Sequence, residues 1–264
     1  MEIAGYIASI FIGLVLGLIG GGGSILTVPV LVYLFKVDAV IATAYSLFIV
    51  GITSAFGAFS YYKKGLVNIK TAILFGVPSI TAVFLTRALV IPAIPDQVFS
   101  IGDFVVTKSI LILLLFAALM IEASYKMIKP LAASDPEAPA HQLNYPLIII
   151  TGISIGFFTG LVGAGGGFLI IPALVLLCNI PMKEAIGTSL TIITANTLIG
   201  FLGVPHKELM DWMFLFKISA LAVAGIFIGM AISKKIDGPK LKPIFGWFVL
   251  VMGIYIILRE TVLK

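Results

Sequence analysis

The sequence predicts an all-α polytopic membrane protein made of two inverted-topology repeats, each a helix hairpin broken at a Gly-rich loop plus three transmembrane helices. Composition is the first observation behind this. The 264 residues are 60% hydrophobic and 11% charged, with mean hydropathy +1.19, whereas a soluble domain carries about 25% charged residues. The second is length: apolar stretches recur that match the roughly 17–25 residues a helix needs to cross a bilayer. The third is a duplication. Gly20-Gly21-Gly22-Gly23-Ser24 leads to Pro29, and Gly163-Ala164-Gly165-Gly166-Gly167 leads to Pro172, 143 residues later. Residues 13–35 and 156–178 agree at 11 of 23 positions: the glycines at 13, 17, 20, 22 and 23, Leu18, Leu26, Pro29, Leu31, Val32 and Leu34. An apolar composition makes Leu and Val matches common, but it does not place five glycines and a proline in one order twice.

Residues 3–19 and 24–35 are apolar on either side of the first glycine run. As one helix this stretch would measure roughly 50 Å, more than one bilayer, so the chain turns back at the glycines. Unwound backbone at membrane depth is tolerated only where protein or a water-filled cavity covers it, so the loop is expected to line an interior site. Segments at about 39–61, 70–92 and 105–128 complete the half, with a polar turn carrying Pro92, Pro95, Asp96 and Asp103 between the last two. A stretch with four prolines from Pro130 to Pro146 links the halves. The division is therefore 1–129 for the first repeat, 130–145 for a cytoplasmic Pro-rich linker and 146–264 for the second repeat. The second half repeats the plan at about 146–163 and 167–179, then 183–204, 212–234 and 241–260. The first apolar segment lacks a basic n-region and a small-residue cleavage site, and is expected to stay in the mature protein.

A hairpin plus three crossings is an odd count, whether the hairpin is re-entrant or fully spanning, and an odd count inverts the second half. The lysines agree with this parity. With both termini outside, Lys63, Lys64 and Lys70, then Lys126 and Lys129, then Lys234, Lys235, Lys240 and Lys242 all fall on the cytoplasmic side, with Arg259 and Lys264 as exceptions. Membrane orientation thus accounts for the net charge of +5, and no nucleic-acid footprint is read from it.

Ser24 and Gly167 open the helices that leave the loops, so free N–H groups and the positive ends of helix dipoles point into them. That chemistry suits an anion, bound near the midplane by Gly21, Gly22, Gly23 and Ser24 and by Gly165, Gly166 and Gly167. On 39–61, Thr43, Ser46, Thr53, Gly57 and Ser60 share one face; on 183–204 the equivalent face carries Ser189, Asn196, Gly200 and Gly203, with Thr188 and Thr191 beside it. Ser46, Thr53, Thr188, Ser189 and Asn196 are the candidate side-chain ligands. The alternative is that small polar residues only let helices pack closely; Ser46 and Ser189 stand apart because the repeat places them in matching positions. No carboxylate lies in the middle of an apolar segment, since Glu122, Glu184, Glu208 and Asp211 are near ends or in connections; a cation carrier would normally keep one there.

Arg87 has Met230 as its repeat partner and is expected to snorkel to the interface. A single cysteine, Cys178, excludes a disulfide within the chain and a multi-cysteine metal site; no cofactor or metal is expected, and His141 and His206 fall in connections. A serine protease built on Ser24 is disfavoured because the second copy has Gly167 there and neither histidine is in a span. No lysine follows the glycines, so this is not a P-loop. An anion channel is the principal rival to a carrier.

These residues together resemble the TauE/SafE, or sulfite exporter, family of membrane proteins. The resemblance rests on Gly17-Leu18-Ile19-Gly20-Gly21-Gly22-Gly23 to Pro29, on Gly160-Leu161-Val162-Gly163-Ala164-Gly165-Gly166-Gly167 to Pro172, and on Ala185-Ile186-Gly187-Thr188-Ser189-Leu190. It implies export of sulfite or an organosulfonate such as sulfoacetate across a bacterial inner membrane. Two departures break the symmetry: Ser24 answers to Gly167, and Ala44-Tyr45-Ser46 to Gly187-Thr188-Ser189.

Overall fold

A computed structural model describes residues 2–21, 23–101, 104–128, 145–178, 180–205, 210–233 and 238–261. Helix α1 (Glu2–Ile19) leads through the first glycine loop to α2 (Ser24–Pro29), which continues as a π turn over Val30–Leu34. Pro29 removes a backbone donor at this junction. Helix α3 (Ala39–Lys63) starts at Asp38, whose Oδ1 accepts from the Val40 N–H at 2.8 Å. Helix α4 (Ile69–Leu85) starts at Asn68, whose side-chain oxygen accepts from the Thr71 N–H at 3.0 Å. Both caps satisfy first-turn donors. Helix α4 runs through a second π turn, Thr86–Val90, into α5 (Ile91–Ala93), and α6 covers Lys108–Ile128. The second half contributes α7 (Tyr145–Val162), α8 (Gly167–Leu177), α9 (Met182–Leu202), α10 (Trp212–Ser233) and α11 (Gly238–Thr261).

Among the described residues, five helices are long and apolar enough to cross a membrane: α3, α4 with its extension to Ala93, α7, α9 and α10. Large apolar side chains such as Ile3, Ile7, Ile73, Val77 and Phe216 point outward, as a lipid-facing surface requires. Helices α3 and α9 form the centre, with 67% and 61% of their apolar windows buried.

Packing pairs the helices across the halves. Helix α1 lies along α10, α7 along α4, α3 along α9, and α6 along α11. Gly13 of α1 abuts the Ala222 carbonyl and Gly17 abuts Ile226 and Gly229, while Gly225 abuts Ile10; contacts climb together, so α1 and α10 run parallel. Gly152, Gly156 and Gly160 of α7 meet Phe75, Ser79 and Thr86 in turn, so α7 and α4 are parallel too. Helices α3 and α9 run antiparallel: Gly51 faces Leu198, the Thr194 hydroxyl donates to Ser54 Oγ at 3.1 Å, and Gly187 faces Tyr61. Glycine at these positions lets backbone touch backbone, the close approach by which membrane helices associate. Gly156→Leu is accordingly expected to pry α7 from α4 and lower the thermal midpoint in detergent by several degrees, whereas Gly65→Ala at the solvent-side turn, with nothing within 4 Å, should lower it only through its φ of +67°.

Among the described residues the chain departs from an all-α protein at one place. Where a polar turn is expected, strands β1 (Gln97–Ile101) and β2 (Phe104–Thr107) pair antiparallel, with Ile101 opposite Phe104. Val98, Phe99, Val105 and Val106 are β-branched or aromatic and suit a pleated pair better than a turn. Helix α6 consequently begins at Lys108. The linker over 130–144 lies outside the described residues, as do Lys129, Lys234 and Lys235.

Candidate functional site

Each glycine loop opens with the same cap. Gly20 has φ +81° and donates its N–H to the Leu16 carbonyl at 2.8 Å; Gly163 has φ +74° and donates to the Thr159 carbonyl at 2.8 Å. A left-handed residue here ends α1 and α7, and glycine adopts it without strain. Beyond this point the loops diverge. Gly165 and Gly166 are also left-handed, with φ +69° each, whereas Gly23 has φ −66°. Helices α2 and α8 then start at Ser24 and Gly167, as the sequence indicates.

The loops descend from opposite ends of the central helices and meet. Gly20 lies against Ile186 of α9 and Gly163 against Thr43 of α3; Gly165 lies against Val50, Ile193 and Thr197. Gly21 and Gly167 are back to back: a Cβ on Gly21 would stand 2.7 Å from the Gly167 Cα, and one on Gly167 2.6 Å from the Gly21 Cα. Gly21, Gly23, Ser24, Gly165, Gly166 and Gly167 are all buried. Gly22 lies outside the described residues. In the second loop Leu169 and Ile170 both donate to the Gly166 carbonyl at 2.9 Å, and no carbonyl among the described residues accepts from Gly165, Gly166 or Phe168. Glu184, the carboxylate at the start of α9, accepts from Asn68 Nδ2 at 3.1 Å.

The candidate side chains divide into several situations. Ser46 and Ser189 are fully buried and their hydroxyls have no partner. Ser46 lies between Thr43 and Val50, which touch Gly163 and Gly165 of the second loop; Ser189 lies between Ile186, which touches Gly20 of the first loop, and Ile193, which touches Gly165 and Gly167 of the second. Ser46 thus stands on the side of the opposite half's loop, and Ser189 between the two loops. The two do not come together, because in the antiparallel register they lie on opposite sides of the Ser54–Thr194 contact, roughly 20 Å apart along the helix axes. Thr53 and Asn196 lie nearer the middle. Thr53 Oγ1 donates to the Ile49 carbonyl at 2.7 Å, and Asn196 Nδ2 donates to Ser79 Oγ at 2.7 Å while its Oδ1 has no partner. Ser24 Oγ donates to the Gly21 carbonyl at 2.8 Å and so braces its own loop. Thr188 stands apart: its oxygen accepts from the Asn68 N–H at 2.9 Å and ties α9 to the start of α4.

Two residues were not legible as site residues. Thr159 is buried with an unpartnered hydroxyl set against Gly166; its repeat partner is Leu16, and that departure from the repeat was the available signal. Arg87 corrects an expectation. It does not snorkel: it is 2% exposed, Nη1 donates to Thr43 Oγ1 at 2.9 Å, and Nε and Nη2 have no partner. The π turn Thr86–Val90 explains the difference, because the wider turn shifts the facing of the side chains it carries relative to a regular helix.

The family model described as "Sulfite exporter TauE/SafE" matches residues 6–256. A "Probable membrane transporter protein" of Xylella fastidiosa (strain Temecula1) is 31% identical over 259 residues, covering 94% of this chain and 92% of its own length. "Probable membrane transporter protein YunE" of Bacillus subtilis is 26% identical, covering 96% and 97%, and "Probable membrane transporter protein MJ0441" of Methanocaldococcus jannaschii is 25% identical, covering 94% of each. No solved structure matches the chain significantly. With its paired glycine loops buried among membrane-length helices, the chain belongs to the TauE/SafE sulfite exporter family of membrane transporters.

Proposed function

We propose that this transporter is an alternating-access carrier that exports a small sulfur-containing anion, sulfite or an organosulfonate such as sulfoacetate, across a bacterial inner membrane, and that it catalyses no reaction. The observation that carries the reading is the meeting of the two glycine loops at Gly21 and Gly167, with free N–H groups around the α8 start. Backbone donors and neutral side chains bind an oxyanion without a compensating cation and release it again. Ser46 supplies a hydroxyl on the side of the second loop and Ser189 one between the two loops, and Thr53 and Asn196 line the passage between the serines. The inverted-repeat reading is supported by α3 and α9, equivalent by the 143-residue offset yet antiparallel, and by the matching α1–α10 and α4–α7 pairs. That arrangement, with both termini outside, gives two half-sites that can be exposed in turn. Backbone packed against backbone between the loops favours a carrier over an open channel.

Flux into proteoliposomes tests this. Sulfite uptake should saturate and show counterflow; unsaturable, electrically large currents would establish the channel instead. Ser46→Ala and Ser189→Ala should each weaken sulfite binding about three- to tenfold, the scale of one hydrogen bond, with little change in thermal midpoint. A change in stability alone would assign both serines to packing.

A further inference from the structure

We propose a second anion site, a one-sided vestibule in which Arg87 and Lys108 bind a small oxyanion at the end of the second glycine loop. It takes its substrate class from the anion-carrier reading above. A cavity of about 230 Å³ opens between the start of α3, the π turn of α4, the start of α6 and the segment after α9, with Arg87 and Lys108 in its wall. Arg87 is the informative group. Thr43 Oγ1 donates to the Val40 carbonyl at 2.7 Å and accepts from Nη1, which leaves Nε and Nη2 free. Those two N–H groups lie along one edge of the guanidinium, the fork that matches two oxygens of one oxyanion.

Among the described residues that fork has no protein acceptor. Neither Arg87 nor Lys108 forms an ion pair among the described residues. Asp38, near the rim, is held by the Val40 and Ile41 N–H groups and by the Ser109 hydroxyl, and Asp211 accepts from the Phe214 N–H. The remaining wall, including Val40, Ala44, Ile91 and Val204, is apolar, so the guanidinium is largely removed from water. A buried cation without a counter-charge, as Arg87 is among the described residues, is costly, and an anion in this cavity relieves that cost. The site has no counterpart in the other half, where Met230 and Ile186 replace Arg87 and Thr43 and α10 passes without a π turn. It also adjoins the transport path, since Gly163 rests on the Thr43 backbone.

Calorimetric titration of the purified full chain in detergent with sulfite tests the site. The variants are Arg87→Met, Arg87→Lys, Lys108→Gln and the double variant Ser46→Ala/Ser189→Ala. Arg87→Met and Arg87→Lys should each weaken binding at least about tenfold, because lysine cannot reproduce the fork, and Lys108→Gln should weaken it less. Without anion, Arg87→Met should keep or raise the thermal midpoint, since it removes an unpaired buried charge; Arg87→Lys and Lys108→Gln carry the test if it does not fold. Wild-type affinity and stoichiometry in the Arg87 and Lys108 variants, with binding lost in the serine variant, overturn the vestibule and leave the carrier site standing. Binding lost in the Arg87 variants but kept in the serine variant supports the vestibule and removes the loop site. No sulfite binding by the wild type overturns both.

Discussion

Gly167→Leu should abolish sulfite transport while the protein still inserts in the membrane. The Gly167 position has no room for a side chain: even a Cβ would stand 2.6 Å from the Gly21 Cα, and a Cβ on Gly21 would meet Gly167 in return. Leucine must therefore push the two loops apart at the point where they meet. Overpacking of this kind costs about 1–3 kcal/mol, occasionally more, which lowers stability without preventing insertion, because the spanning segments are unchanged. Gly21→Leu should produce the same loss, and the shared phenotype is the test. Proteoliposome uptake that stays above about a tenth of wild type in both variants would show that the loop contact is not part of the transport path.

The second large effect is a difference between two chemically identical substitutions. Gly20→Ala and Gly163→Ala both place a Cβ on a left-handed residue, with φ of +81° and +74°, at a cost of roughly 1–2 kcal/mol. Their neighbours differ. The new methyl at Gly20 meets the Ile186 side chain, Cγ2 foremost, whereas at Gly163 it meets the Thr43 carbonyl and Cα, which belong to the backbone of α3 and yield less than a side chain does. Gly163→Ala should therefore cost about 1–3 kcal/mol more than Gly20→Ala, read as a larger fall in thermal midpoint in detergent. Equal falls would mean that the α3 backbone yields at Thr43, and that the second loop is as loosely seated as the first.

Much of this architecture is legible in the sequence because the glycine run is a backbone signal. Four glycines interrupt a helix whatever surrounds them, so the starts of α2 and α8 at Ser24 and Gly167 follow directly. Pairing by repeat likewise singles out Ser46 and Ser189, whose hydroxyls are buried and unpartnered. The distance between those serines is harder to read. It depends on where α3 and α9 cross, and the crossing lies nearer Thr53 and Asn196 than either serine. The part played by Thr188 depends on Asn68, 120 residues away, which no local pattern connects to it. Arg87 departs from the sequence expectation because a long cationic side chain near the end of a span usually reaches for the interface, and a π turn has no clear sequence signature. The β1–β2 pair was hidden by the prolines and aspartates around it, which outweighed the apolar run between them.

The pairing of α1 with α10 also governs how the chain is made. Gly13 and Gly17 are shaped for Ala222, Ile226 and Gly229, which leave the ribosome some two hundred residues later. At about 5–20 residues per second, α1 waits roughly 10–40 s for its partner. During that interval its glycine face meets lipid or the insertion machinery, so the second half completes the folding of the first, and neither half has a finished interface of its own.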